Sequence, residues 1–79
     1  MRIAAIRSFI QTRILNDPEA QIEADQDLLL SEAIDSFGVI QLVEFLETKY
    51  EVTIPPEDVT IDNFATLHLI DAYLTTRVP

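Results

Sequence analysis

The sequence predicts an all-α bundle of three long helices and one short one. Three observations carry this expectation. Apolar residues recur at spacings of three and four in three separate segments. The one stretch with strand character, Val52-Thr53-Ile54, has no second strand to pair with. A chain of 79 residues, 48% of them apolar, can build one modest core but not two. One glycine, no cysteine and no internal repeat complete the picture, so neither disulfides nor thiolate-metal sites reinforce the fold.

The first helix is expected over about residues 2–15. Ile3, Ile6, Ile10 and Ile14, with Phe9, form its inward stripe, and Arg2, Arg7 and Arg13 face mostly outward. Three arginines without an acid superficially resemble a transit peptide, but the isoleucine stripe marks this segment as a helix the core needs. Asn16-Asp17-Pro18 ends it, because proline cannot continue a helix and disfavours α geometry in the residue before it. A long connection, 16–34, follows. It is acidic first, with room for a short turn near Pro18-Glu19-Ala20, and then apolar at Leu28, Leu29, Leu30 and Ile34, which are expected to pin its second half to the core.

The second helix is expected from 35 to 50, capped by Asp35 or Ser36. Phe37, Ile40, Val43, Leu46 and Tyr50 form one stripe, and Val39, Leu42 and Phe45 broaden it, so the helix is apolar around most of its circumference. Pro55-Pro56 enforces an extended segment after it. A short helical turn is expected near 59–63. The last helix is then expected over 63–76, with Asn63 as its cap and Phe64, Leu67, Ile70 (or Leu69) and Leu74 inward.

Charge and composition exclude several function classes. Fourteen acids against five bases give a formal charge of −9, and from Ile14 to Thr48 there are nine acids and no base. Such a field repels phosphate backbones and argues against nucleic-acid binding. It favours a protein partner with a basic surface. No apolar run approaches the roughly 18–20 residues of a membrane span, and a cytoplasmic location is the default. His68 is the single histidine, with neither cysteine nor nucleophile beside it, and reads as a partly exposed helix residue. Asp25-Gln26-Asp27 begins like a calcium loop, but Leu29 and Leu30 stand where the pattern needs an oxygen ligand and a glycine. No glycine-rich loop exists to cradle a phosphate. The inventory is not that of an enzyme.

The informative point is the junction Leu28-Leu29-Leu30-Ser31-Glu32-Ala33-Ile34-Asp35-Ser36-Phe37, where the acidic loop meets the second helix. Asp35-Ser36 reads locally as a helix cap. A serine there also stands where free backbone N–H groups and the helix dipole favour an attached phosphate. No neighbouring side chain can activate its hydroxyl, so a separate enzyme would have to supply the base.

Asp35-Ser36-Phe37-Gly38-Val39-Ile40-Gln41-Leu42-Val43-Glu44-Phe45-Leu46-Glu47 resembles the Asp-Ser-Leu type motif and second helix of acyl and peptidyl carrier proteins. Asp25 to Leu30, Tyr50 to Asp58, and Asn63-Phe64-Ala65-Thr66-Leu67 are similar to the flanking segments of that family, so the resemblance spans about residues 25–75. It implies an acyl-carrier-protein-like bundle and a 4′-phosphopantetheine arm, donated from coenzyme A to Ser36 by a phosphopantetheinyl transferase. Asp35 would help present the serine and contact the transferase's magnesium site. Cargo would ride on the arm as a thioester, loaded by an acyl- or aminoacyl-activating ligase and passed to a downstream synthase or transferase, with the carrier acting as a monomer. Phe37 stands where leucine or methionine is usual, and Ala33 where a glycine often precedes the motif. Gln41 and Thr48 replace acids found in many fatty-acid carriers, leaving Glu44 and Glu47 as the electrostatic handle. Phe37, Val39 and Ile40 are a candidate apolar contact patch, although core burial is the expectation for Ile40.

Within that resemblance, a discrete carrier of specialised polyketide, nonribosomal or lipid metabolism fits a short single-domain sequence without linkers, and the housekeeping fatty-acid carrier fits less well because positions 41 and 48 lack its acids. An aminoacyl carrier loaded by an adenylating ligase, like those for D-alanine, is the near alternative, because residues 37–42 also resemble such carriers. From a different class, an acidic helical adaptor that docks a partner through its second helix and is never modified accounts for the same composition.

Overall fold

The computed structural model describes residues 2–78. Four helices carry the chain: α1 (Arg2–Phe9), α2 (Ser36–Tyr50), α3 (Ile61–Phe64) and α4 (Leu67–Thr75), and among the described residues there is no strand. α1 runs on into a π-helical turn, Ile10–Ile14, where the Leu15 N–H donates to the Ile10 carbonyl at 2.8 Å. Asn16, with φ of 55°, then turns the chain out of the helix ahead of Pro18.

The core collects Ile6 and Ile10 from the first helical stretch, Leu42 and Leu46 from α2, Phe64 from α3, and Leu67, Ile70 and Leu74 from α4. Stacked rings of Phe9 and Phe45, 4.2 Å between centroids, lie between the first stretch and α2. Two of the arginines expected to face solvent are used as ties. Arg2 donates to Asp71 at 2.8 Å and to Thr75 at 2.7 Å, and Arg7 donates to the Ile22 carbonyl at 2.9 Å. Both residues are half-buried and bind through the guanidinium, so a polar residue outside the stripe still fixes the helix.

The long connection has no helix yet is anchored along its length. Gln11 donates to the Ala20 carbonyl at 2.6 Å, the His68 backbone N–H donates to the Ala24 carbonyl at 3.1 Å, and the Leu28 N–H donates to the Ala65 carbonyl at 2.7 Å. Ile22, Leu28 and Ile34 are buried, and Leu29 packs partly against the core. Leu30 departs from the expected anchoring and is 70% exposed. The Asp27 carboxylate explains it: it accepts the N–H groups of both Leu29 and Leu30, curling the backbone into a turn that directs Leu30 outward.

The last third differs from the sequence expectation. Asn63 does not cap the final helix. It lies inside α3, where its amide donates to the Asp58 carbonyl at 2.9 Å. α4 starts at Leu67, and Thr66 caps it by accepting the Leu69 N–H at 3.1 Å. Apolar spacing is continuous across both helices because Phe64, Leu67, Ile70 and Leu74 are all buried. Periodicity therefore could not reveal the break, which is made by the extended backbone at Thr66 (φ −135°, ψ 164°). Ile70 takes the core position and Leu69 stays 38% exposed. A 3₁₀ turn at Pro56–Asp58 precedes α3, held to α4 by the Asp58 carboxylate. That group accepts from the Tyr73 hydroxyl at 2.7 Å and from Arg77 at 3.1 Å.

Candidate functional site

α2 begins as the junction motif requires. Asp35, in extended conformation, is the N-cap, and its Oδ1 accepts the Gly38 N–H at 2.8 Å. Because Asp35 closes the helix, Ser36 at the first helical position is not needed as a cap, and its side chain is exposed. Its hydroxyl sits where the remaining free N–H groups of the helix start point outward.

Gly38 shows why the junction is so tight. A Cβ there would lie 2.8 Å from Ile34 Cγ2 and 3.1 Å from Ile14 Cγ2. The end of the first helical stretch, the end of the loop and the start of α2 thus meet at one residue that has no side chain, and this meeting holds Asp35 and Ser36 at the surface.

One hollow borders the serine and a second lies further along α2. The first, of about 340 Å³, is lined by Leu29, Glu32, Ile34, Asp35, Ser36 and Val39, and it brings two carboxylates and no lysine or histidine to the hydroxyl. The second is a groove of about 300 Å³ lined by Val39, Ile40, Val43, Ile54, Pro56 and Val59, with Glu44 at its edge. Val39 lines both, so the apolar groove between α2 and the segment after it neighbours the serine hollow. Sequence reading missed the far wall of this groove, because Ile54, Pro56 and Val59 carry no periodic signal of their own.

The expected contact residues separate in space. Phe37 is 67% exposed and Ile40, which the stripe placed in the core, is 57% exposed. The buried face of α2 is instead Gly38, Leu42 and Leu46, since the tight approach at Gly38 rotates that edge inward. Val39 is half-buried. Glu44 is exposed, whereas Glu47 is half-buried and accepts the Ile54 N–H at 2.9 Å, so one of its oxygens holds the groove wall. His68 lies apart from the site, as an exposed partner of Asp25 at 2.5 Å.

Among known families, the model described as phosphopantetheine attachment site matches residues 5–70. The chain belongs to that family. It is therefore a carrier domain with a covalently attached 4′-phosphopantetheine arm, and carrier domains of this kind are not enzymes. They work with a phosphopantetheinyl transferase and with biosynthetic enzymes. No curated protein matches the chain.

The local chemistry fits such an arm. The start of α2 offers N–H groups and a helix dipole to a phosphate ester, while Asp35 and Glu32 oppose a free anion. Among the described residues, no helix is long and apolar enough to cross a membrane.

Proposed function

We propose that Ser36 is the attachment residue and that the carrier holds acyl groups as thioesters for enzymes of specialised polyketide, nonribosomal or lipid biosynthesis. Support for Ser36 comes from its place in the matched span, its exposure, and its freedom from the capping role that Asp35 fills. Asp35 keeps the serine at the helix edge and offers its other oxygen to the transferase's magnesium.

The single observation that carries acyl over other cargo is the apolar groove that shares Val39 with the serine hollow. Each methylene buried there is worth about 0.8 kcal/mol, which a polar aminoacyl group cannot gain. Glu44 at the groove edge favours the second reading, an aminoacyl cargo whose ammonium it could meet. Action as a cytoplasmic monomer belongs to the same proposal, consistent with a cysteine-free chain.

Intact-protein mass after incubation with coenzyme A, magnesium and a broad-specificity transferase tests the first claim. One added phosphopantetheine group, absent in Ser36→Ala, is the expected result. A folded wild type that gains no mass with several transferases would return the unmodified helical adaptor to the front. Loading the arm with acyl groups of increasing length tests the second claim. Melting temperature is expected to rise with length until the groove is filled.

A further inference from the structure

The groove beside α2 has its second wall on Ile54, Pro56 and Val59, and that short segment is tied down at both ends. At the near end the Glu47 carboxylate accepts the Ile54 N–H at 2.9 Å, and the Ile54 side chain is buried. At the far end the ties converge on Asp58, the residue before Val59. Its carbonyl accepts the Asn63 amide at 2.9 Å, and its carboxylate accepts the Tyr73 hydroxyl at 2.7 Å and the Arg77 guanidinium at 3.1 Å. Arg77 closes a triangle by donating Nε–H to the Tyr73 oxygen at 3.1 Å, with its guanidinium 5.5 Å from the centre of the Tyr73 ring. That ring is buried against Phe64, 5.7 Å between centroids, so the hub is fixed to α3 and α4 together.

The two walls differ in what holds them. The α2 wall belongs to a helix seated on the core through Leu42 and Leu46. The other wall is a 3₁₀ turn of three residues. Its backbone bonds, from the Asp58 N–H to Pro55 and from the Val59 N–H to Pro56, lie within the turn, so they hold its shape and not its distance from α2. Pro55 and Pro56 bring no N–H with which to reach either helix. Beyond the near tie at Ile54, that distance is held by the Asp58 triangle. Asp58, Tyr73 and Arg77 all lie outside the groove lining, so a chain in the groove touches none of them.

We propose that the Asp58–Tyr73–Arg77 triangle sets the width of the groove and with it the longest acyl chain the carrier shields. Tyr73 and Arg77, on α4 and the turn after it, are then positioning residues that select cargo size without touching cargo. The limit operates on acyl cargo that enters the groove, and so rests on the acyl reading proposed above. The Asp58–Arg77 pair is partly exposed, so its loss slackens the wall without stranding a buried charge.

The test compares wild type, Tyr73→Phe, Arg77→Met, the double variant and Arg2→Met. A broad-specificity transferase loads each apo chain from a series of saturated acyl-coenzyme A donors, acetyl to dodecanoyl. Tm is read relative to the acetyl form of the same chain, which removes any baseline loss of stability. In wild type each methylene that enters the groove should raise Tm by about 3–6 °C until the groove is full, after which longer chains add nothing. In the double variant saturation should come at least about one methylene later, read as a further rise of about 3–6 °C at a length where wild type no longer gains. Tyr73→Phe keeps the ring on Phe64 and Arg77→Met keeps an apolar stem, so each single variant should shift in the same direction and serves if the double variant does not fold. Arg2→Met breaks a comparable ion pair, to Asp71, and should lower the baseline yet saturate at the wild-type length. If the folded triangle variants saturate with wild type, if Arg2→Met lengthens the limit equally, or if wild type gains through dodecanoyl without saturating, the triangle does not set cargo size although the groove reading stands. If wild type carries every acyl group by mass and gains no stability at any length, the acyl groove and its size limit fall together.

Discussion

Substituting Gly38 by alanine sets two effects of opposite sign against each other. Alanine favours helix over glycine by about 1 kcal/mol in a helix interior, and less in a first turn such as this one. The new Cβ, however, would meet Ile34 Cγ2 at 2.8 Å, Ile14 Cγ2 at 3.1 Å and Asp35 Oδ1 at 3.4 Å. Ile34 is only 4% exposed, and its Cγ2 is bonded directly to a β-branched carbon, so it cannot swing aside without moving backbone. Overpacking of this kind costs about 1–3 kcal/mol, and set against a gain below about 1 kcal/mol the middle of that range leaves a net loss of about 1 kcal/mol. For a domain of this size that corresponds to a fall in Tm of about 4–8 °C, read by far-ultraviolet circular dichroism. Ile34→Leu moves the branch one carbon outward and removes Cγ2, so the double variant should be less destabilised than the sum of the single changes. A Gly38→Ala protein as stable as wild type, or more so, would refute the view that three segments meet at this residue.

Asp35→Ala removes the cap of α2 and should cost about 1 kcal/mol, whereas Asp35→Asn keeps an acceptor for the Gly38 N–H and should melt close to wild type; equal melting of all three would deny Asp35 the capping role. Burial raises the pKa of Tyr73 above 10, its hydrogen bond to Asp58 raises it further, and Arg77 partly offsets both. The unfolded chain then loses this proton first, so the group's contribution is intact below about pH 10 and is lost as pH rises from there through the folded-state value. Urea unfolding at rising pH should show a shallower alkaline decline in Tyr73→Phe than in wild type, and identical slopes would contradict the assignment. Glu47→Ala should loosen the groove wall by leaving the partly buried Ile54 N–H without its acceptor, at a cost of about 1–2 kcal/mol; an unchanged urea midpoint would show that water replaces it.

The sequence by itself determined the helical class, the start of α2 and the position of the junction serine. These rest on local physics: apolar spacing of three and four, a capping aspartate, and prolines that forbid helix at known positions. Asp35 and Ser36 were legible because a cap and the residue after it are defined by the chain within a few residues. Where α3 ends and α4 begins was not, since Phe64 and Leu67 keep the apolar rhythm across a break made only by the backbone at Thr66. Nor was the orientation of α2. A helix apolar nearly all round has no preferred inward face of its own. Packing at Gly38 against Ile14 and Ile34 decides it, turning Leu42 and Leu46 inward and leaving Phe37 and Ile40 outside. The groove and the withdrawal of Glu47 arise in the same way, from residues far enough apart in sequence that only tertiary packing brings them together.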